Sequence, residues 1–281
     1  MKKFLLVIIV LFCSCNKNEI NLTKNKNEII KLYNKIDRNN KVNSDSLVFF
    51  SQKIAQLSQN ENIEFKAIAQ VAKNMVDIDE GYYNLANKNC NELIKLLPSF
   101  KNDTIKGKFY LVFGFCKYNK GEFDLALKYN FKALNIYESC KNKNGIAIVN
   151  NKIADVYFAK NDTKSSVKYL NKTLSLLKSN PKSVIRMNTF HSLANIYGMS
   201  GNFANALKID DACLKIAEKL NSNKIKVQFL DNKANCYMYS NKLDSAQFYF
   251  EKCLILDKLI GNPRQIADNY SNQAVFIFDE K

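Results

Sequence analysis

Small residues recur along this chain with a period of 40 residues. The clearest copy runs from Gly114 to Tyr137, and its pattern returns when the sequence is shifted by 40 residues three times in succession. A small residue opens each copy and continues into a fifth: Gly114, Ala154, Ala194, Ala234 and Ala274. A second and a third small residue follow at fixed distances: Ala126, Ser166, Ala206 and Ala246, then Ala133, Thr173, Cys213 and Cys253. Self-similarity at such a period indicates a repeat architecture.

Within each copy, the apolar spacing predicts two helices separated by a turn. Between residues 125 and 136 the apolar positions mostly keep spacings of three and four residues, the pattern of one helix face. Gly121 and Gly201 stand between the two halves, where a glycine in the left-handed conformation ends a helix. Asp124 and Asp244 follow at the distance expected of a residue that caps the second helix. In three copies a tyrosine lies three residues after the first small residue: Tyr157, Tyr197 and Tyr237.

These small, Tyr and Gly residues resemble the tetratricopeptide repeat, in which the same residue types recur at this spacing. The resemblance implies an all-α fold, a right-handed superhelix (α-solenoid) of stacked antiparallel helix pairs in which the Tyr ring fills the gap between repeats. The family's usual period is about 34 residues, so the longer period here implies longer helices, and we expect about 5.5 TPR-like repeats.

The strength of the repeat signal predicts how the chain is divided. The signal is strong after residue 106, moderate before it and weak before residue 60. We predict a lipoprotein signal peptide and lipidation site at 1–15, a flexible tether at 16–27, a degenerate first repeat at 28–60, a second repeat at 61–105, and the regular array at 106–281, with three full units and a final unpaired helix.

The first fifteen residues have the composition of an export signal. Two lysines precede an apolar run from Phe4 to Phe12, which at ~1.5 Å per residue spans roughly 14 Å, under half of a ~30 Å bilayer core. The run ends in LFCSC, which resembles a bacterial lipoprotein processing site with Cys15 as the acylated residue, although Phe12 replaces the usual leucine. Palmitate and further acyl chains would anchor the protein in the cell envelope, at the outer membrane facing periplasm or exterior. An ordinary secretory signal is the alternative.

The net charge of +16 is weak evidence for nucleic-acid binding. Only three of the basic residues are arginines, at Arg38, Arg186 and Arg264, and arginine is the residue that reads phosphates and guanines in bidentate fashion. We therefore expect no specific nucleic acid as a partner, and an outer surface coated with lysines.

The sequence offers little for catalysis or metal binding. It has a single histidine, His191, and no pair of cysteines at a zinc-binding spacing. Phosphate-binding and nucleophile motifs are also absent from it. We therefore predict a protein that is not an enzyme and that holds no cofactor and no metal. Of the remaining cysteines, Cys213 and Cys236 are the pair to test for a disulfide.

The resemblance also implies a binding groove, lined by the first helix of each pair. Its second, fifth, ninth, twelfth and thirteenth positions are expected to face a protein or peptide partner. Asn195 and Asn235 share one position in consecutive repeats and would form a short ladder along an extended partner. The residues predicted for this groove are Phe115, Tyr118, Asn151, Asp155, Phe158, His191, Asn195, Met199, Asp231, Asn235, Met238 and Tyr239.

These features lead to one functional hypothesis and two alternatives. We expect a membrane-anchored scaffold or adaptor that binds a protein or peptide in its groove. The sequence stops after the first helix of a repeat, which leaves Val275–Phe278 without a pairing helix. The chain is therefore alternatively the extracytoplasmic sensor part of a truncated or split signalling regulator, of the histidine-kinase or DNA-binding type. A third alternative, a glycan-processing enzyme, predicts turnover by the mature chain.

Overall fold

A computed structural model describes residues 24–33, 35–36, 44–100, 102–261 and 263–278. The regular structure of these residues is helical, with no strand among them. The helices are α1 (24–33 and 35–36), α2 (Ser44–Ser58), α3 (Ile63–Asp79), α4 (Tyr83–Leu93), α5 (Asp103–Asn119), α6 (Phe123–Ser139), α7 (Lys143–Ala159), α8 (Thr163–Leu176), α9 (Val184–Met199), α10 (Phe203–Lys219), α11 (Asn223–Tyr239), α12 (Leu243–Ile260) and α13 (Pro263–Phe278).

The helices confirm the predicted fold class, an α-solenoid of antiparallel helix pairs. Short turns join α3–α12 into five pairs, and α1 and α2 precede them and α13 follows them, within the part of the chain that the structure describes. The regular array holds four pairs, α5–α12, where we predicted three full units. A short 3-10 turn, Leu97–Ser99, follows α4.

The chain forms two compact units, Met1–Ile136 and Tyr137–Lys281. The core of the first unit is built around aromatic and aliphatic side chains such as Phe109 and Phe113, whose rings meet edge to face. The second unit holds α7–α13, and its buried residues include Met187 and Phe229. Within the second unit, each pair buries its apolar face against its neighbours, as expected of a repeat protein.

The turns inside the pairs repeat the predicted left-handed residue. Gly121 and Gly201 have φ angles of 73° and 76°, which confirms their predicted role. Asn161 and Asn241 occupy the same position in the other copies, with φ angles of 62° and 57°. Asparagine is, after glycine, the residue that best tolerates this conformation, so the turn survives without glycine.

The helix N-termini differ from the prediction in one respect. Asp124 and Asp244 lie in the first turns of α6 and α12, and Lys242 occupies the cap position of α12. A carboxylate in the first turn still stabilises the positive end of the helix dipole. Elsewhere asparagine and aspartate do cap helices: the side chains of Asn142 and Asp162 accept bonds from backbone N–H groups three residues ahead.

Two of the three recurrent tyrosines stack inside their own helix pair. The ring of Tyr157 stacks on Tyr169 with centroids 5.7 Å apart, and Tyr237 stacks on Tyr249 at 5.4 Å. These contacts join the first and second helix of one pair, whereas we had expected the ring to fill the gap between repeats.

Part of the segment predicted to be a flexible tether is helical. Residues 24–27 already belong to α1, and Lys26 forms an ion pair of 3.9 Å with Glu61. The predicted signal peptide and Cys15 lie outside the described residues, as do the side chains from position 274 onward. Among the helices that are described, none combines the length and the apolar character needed to cross a bilayer.

Candidate functional site

The first helices of consecutive pairs lie side by side in the second unit. Helix α9 contacts both α7 and α11. The side-chain amide of Asn151 on α7 donates to Thr189 Oγ1 on α9 at 2.9 Å. Asn232 on α11 donates to the backbone oxygen of His191 on α9 at 3.3 Å. Buried hydrogen bonds therefore fix the spacing of three neighbouring helices.

The fifth position of α7 and α9 packs against the next first helix. Asn151 is only 7% exposed because its amide is bonded to Thr189. The half-buried ring of His191 lies 6.0 Å from the ring of Phe229, edge to face. Leu111 is 8% exposed. This position serves helix packing, and it places Asn151 inside the molecule, away from the surface where we had predicted it.

The twelfth position of the first helices was also predicted to face the groove, but it packs within the pairs. Phe158 is half-buried against the cluster of Ala154 and Leu170. Met238 is half-buried against the cluster around Phe250. In the first unit, the equivalent residue Tyr118 is half-buried and its ring lies 5.9 Å from Phe123.

The remaining predicted residues of the second unit lie along one exposed side of α7, α9 and α11. Asp155, Asn195 and Asn235 share one repeat position; Asn195 is exposed and the other two are half-exposed. One helical turn further, Met199 and Tyr239 are 59% and 61% exposed. Residues four apart project from the same side of a helix. We call these five residues the first-helix face.

The polar residues of this face are held by local contacts. Asp155 pairs with Lys152 at 3.1 Å, one turn earlier on α7. The amide nitrogen of Asn235 donates to the backbone oxygen of Asp231 at 3.0 Å and to its carboxylate at 3.2 Å. Both bonds use the donor end of the amide, so Asn235 can offer its oxygen to an N–H group of a partner. Asp231 is itself half-buried.

The first-helix face rests on a buried polar network between α10 and α11. Asn232 lies 3.5 Å from the carboxylate of Asp210, which is fully buried. Burial raises the pKa of Asp210 to about 8, against smaller opposing effects of Asn232 and Lys233. Lys233 pairs with Asp211 at 2.6 Å. Burial alone would lower the pKa of Lys233, but its hydrogen bonds to Asp211 and Tyr249 raise it overall.

Sequence reasoning missed the residues that support this face. Thr189 and Phe229 each lie 38 residues after the fifth-position residue that they contact, Asn151 and His191. That spacing is two short of the repeat period. A search for contacts between residues 38 apart would have found them.

Besides Tyr118, one more predicted residue belongs to the first unit. Phe115 lies on α5 and is 40% exposed, and it has the same repeat position as Asp155, Asn195 and Asn235. The exposed ring of Phe115 therefore gives the first unit an apolar surface at this position.

The cysteines and acidic residues do not form a metal site in the described part of the chain. Cys213 is buried in the cluster of Met187 and Phe229. Cys236 lies against Gly198, where an added Cβ would come within 3.0 Å of its sulfur. All six cysteines that the structure describes are free thiols: Cys90, Cys116, Cys140, Cys213, Cys236 and Cys253.

Comparison with known families identifies one repeat directly. Residues 227–258, which span most of α11 and α12, match the model of the tetratricopeptide repeat. The fold is that of a TPR protein. In agreement, the second small residue of this copy, Ala246, is fully buried between helices, as the repeat requires. No curated protein matches the sequence.

Solved TPR-like structures resemble most of the chain at low sequence identity. BtubC (BKLC) from P. vanneervenii has a TM-score of 0.61 at 13% identity, over 78% of this chain and 91% of that one. The Rap protein complexed with competence and sporulation factor has a TM-score of 0.64 at 16% identity, over 91% and 72%. NprR in complex with its cognate peptide NprX has a TM-score of 0.59 at 16% identity, over 90% and 72%. The likeness establishes a shared fold.

Proposed function

We propose that this TPR protein is a non-enzymatic scaffold or adaptor that binds an extended segment of a protein or peptide on the first-helix face. The observation that carries the proposal is the row formed by Asp155, Asn195 and Asn235, with Met199 and Tyr239 exposed beside it. Two of the similar solved structures are complexes with a peptide or a signalling factor, which supports the same class of partner.

The spacing of the helices suits an extended chain. Neighbouring packed helices have axes about 8–10 Å apart. An extended peptide rises by about 3.3 Å per residue. Asn195 and Asn235 would therefore meet backbone groups roughly three residues apart, which places side chains of the partner over Met199 and Tyr239. These large apolar side chains would bury apolar residues of the partner.

A peptide-display selection tests this binding. Peptides selected on the chain are expected to bind Asn195→Ala/Asn235→Ala roughly 30- to 150-fold more weakly, because two hydrogen bonds of about 1–1.5 kcal/mol each are lost. The matched control is Asn205→Ala/Gln247→Ala, which removes two exposed amides from the second helices α10 and α12. Equal affinities for the wild type, the double variant and the control variant would show that the first-helix face is not the binding site.

We further propose that the protein is anchored in the bacterial cell envelope through acyl chains on Cys15. The sequence before Cys15 supports this, since it combines two lysines, a short apolar run and a small residue. Labelling of producing cells with palmitate tests it. The wild type and Cys13→Ala are expected to carry the label and to sediment with membranes, whereas Cys15→Ala carries none. An unlabelled wild type found in the soluble exported fraction would indicate an ordinary secretory signal.

A further inference from the structure

A row of lysines lies along the exposed side of two second helices, α8 and α10. Lys208, Lys215 and Lys219 of α10 follow one another at spacings of seven and four residues, so they project from one side of the helix. Shifted back by the period of 40, the row begins with Lys168 on α8, and Lys172 follows one turn later. All five side chains are exposed. Within the part of the chain that the structure describes, none of the five forms an ion pair with a carboxylate.

The same row becomes apolar in α12. Where α10 has its three lysines, α12 has Phe248, Ile255 and Leu259, which are 50%, 60% and 71% exposed. Lys252 lies between them, with its Nζ atom 4.1 Å from the centre of the Phe248 ring. Single exposed apolar side chains are common on protein surfaces. Three in one row form a patch, and such patches mark contacts with an apolar partner.

A further helix pair would not cover this row. Helix α10 is followed by the pair α11 and α12, and its lysines are exposed all the same. The buried side of each second helix instead meets first helices: α10 contacts α9 and α11, and α12 contacts α11 and α13. The rows of α8, α10 and α12 therefore point away from the layer of first helices that carries the first-helix face. We call these three rows the second-helix face.

We propose that the second-helix face docks on an anionic lipid bilayer. The lysines of α8 and α10 complement the negative charge of the lipid headgroups. The apolar side chains of α12 enter the boundary between headgroups and acyl chains. Lys252 keeps its charge among the headgroups, because the long alkyl part of a lysine can lie along apolar surface. This contact directs the first-helix face away from the bilayer, and it requires neither a bound partner nor acyl chains on Cys15.

The apolar end of the face favours lipid over nucleic acid. Lysines alone would suit either, since both are polyanions. Ile255 and Leu259 offer no ring on which a base can stack, whereas the acyl region of a bilayer accepts them favourably. Two of the carboxylates that flank the row have partners of their own. Asp211 pairs with Lys233 at 2.6 Å, and Glu251 accepts a hydrogen bond from Gln247 at 3.1 Å.

A single tryptophan in α12 tests the contact, because the sequence contains no tryptophan. The full chain with Ile255→Trp is mixed with vesicles of phosphatidylglycerol and of phosphatidylcholine brominated in its acyl chains. We expect the tryptophan emission to shift to shorter wavelength and to be quenched by the bromine. Met199→Trp, at an exposed position of the first-helix face, is the matched control and should show neither change. Because the signal is local, a chain held on the vesicle only by its N-terminal segment would not produce it.

Three results would overturn the proposal. The first is an unchanged emission of Ile255→Trp on these vesicles, or the same change in Met199→Trp. The second is a shift that needs no lipid and grows with protein concentration, which would assign the row to a second copy of the chain. The third is a shift caused by single-stranded DNA and not by vesicles, which would assign the row to nucleic acid.

Removal of lysines tests the electrostatic part of the contact. In the chain with Ile255→Trp, adding Lys208→Gln/Lys215→Gln should lower the ratio of docked to undocked chains roughly 30-fold, because each lysine near an anionic surface contributes a factor of about five. Lys143→Gln/Lys182→Gln removes the same charge from exposed positions outside the second-helix face, and should lower the ratio far less. Equal ratios for the two double variants would contradict docking through this face.

Discussion

At the scale of single residues, one buried position explains why a glycine opens the first regular copy. Gly114 faces Asn130 on α6, and a Cβ at Gly114 would overlap the Asn130 side-chain oxygen. Asn130 is 2% exposed, and its side-chain oxygen has no hydrogen-bond partner. In the next copy the same two positions hold Ala154 and Leu170, which pack together. The size of one residue is therefore matched to that of the other.

This match predicts a compensating pair of substitutions. Gly114→Ala should destabilise the protein by about 1–3 kcal/mol, because overpacking outweighs the better helix propensity of alanine. Gly114→Ala/Asn130→Leu reproduces the next copy, and should recover the loss and exceed the wild type. Urea unfolding measures both free energies of unfolding. A double variant no more stable than Gly114→Ala would show that the two positions are not coupled.

The buried carboxyl of Asp210 predicts a dependence of stability on pH. Its pKa is raised from 3.8 to about 8, mainly by burial, so the folded state prefers the protonated form. This contribution is fully present below the unfolded-state pKa and is lost as the pH rises towards 8. Each pKa unit corresponds to about 1.4 kcal/mol, so we expect a loss of the order of a few kcal/mol.

Urea unfolding at pH 5 and pH 8 tests this expectation. Asp210→Asn should be less sensitive to pH than the wild type and more stable than it at pH 8. Asp244→Asn, which removes an exposed carboxylate from α12, is the control for the loss of one charge. The same pH sensitivity in the wild type and Asp210→Asn would show that Asp210 is not the cause.

At the scale of helices and turns, the 40-residue period and its resemblance to the tetratricopeptide repeat were sufficient to predict the fold. Small residues and left-handed turn residues are set by close backbone approach and by φ, so they appear directly in the sequence. The contacts between first helices beneath the first-helix face could not be predicted from the sequence in this way. Asn151 was predicted to be exposed because its position in the first helix suggested the surface, but its burial depends on Thr189, which lies on the next first helix. Such a partner is set by how the pairs pack, which position within one repeat does not reveal.

The turn after α6 predicts a stabilising change. Lys141 has a φ angle of 52°, which costs a residue with a Cβ about 1 kcal/mol. Lys141→Gly should therefore stabilise the protein by roughly 0.5 kcal/mol, after the greater unfolded-state freedom of glycine is subtracted. Lys168→Gly, at an exposed position inside α8, should destabilise it by about 1 kcal/mol. Thermal unfolding compares the two, and a loss of stability in Lys141→Gly would show that the turn does not strain lysine.

At the scale of the whole molecule, the chain resembles TPR proteins over most of its length but shares few residues with them. The repeat fixes where first helices lie, whereas the side chains on their exposed sides are free to differ. Under the proposed function, binding specificity depends on residues that the repeat does not require, such as Asn195 and Met199. The proposed partner's chemistry follows from these residues: backbone amides for the asparagines and apolar side chains for Met199 and Tyr239.

The most direct test places a photoreactive benzophenone amino acid at Met199 in the full chain in living cells. We predict a discrete crosslinked protein or peptide that disappears when Asn195→Ala/Asn235→Ala is added. The same amino acid at Phe248, exposed on the second helix α12, is the control and should not yield that product. An identical product from both positions, or one that the double substitution leaves unchanged, would contradict binding at the first-helix face.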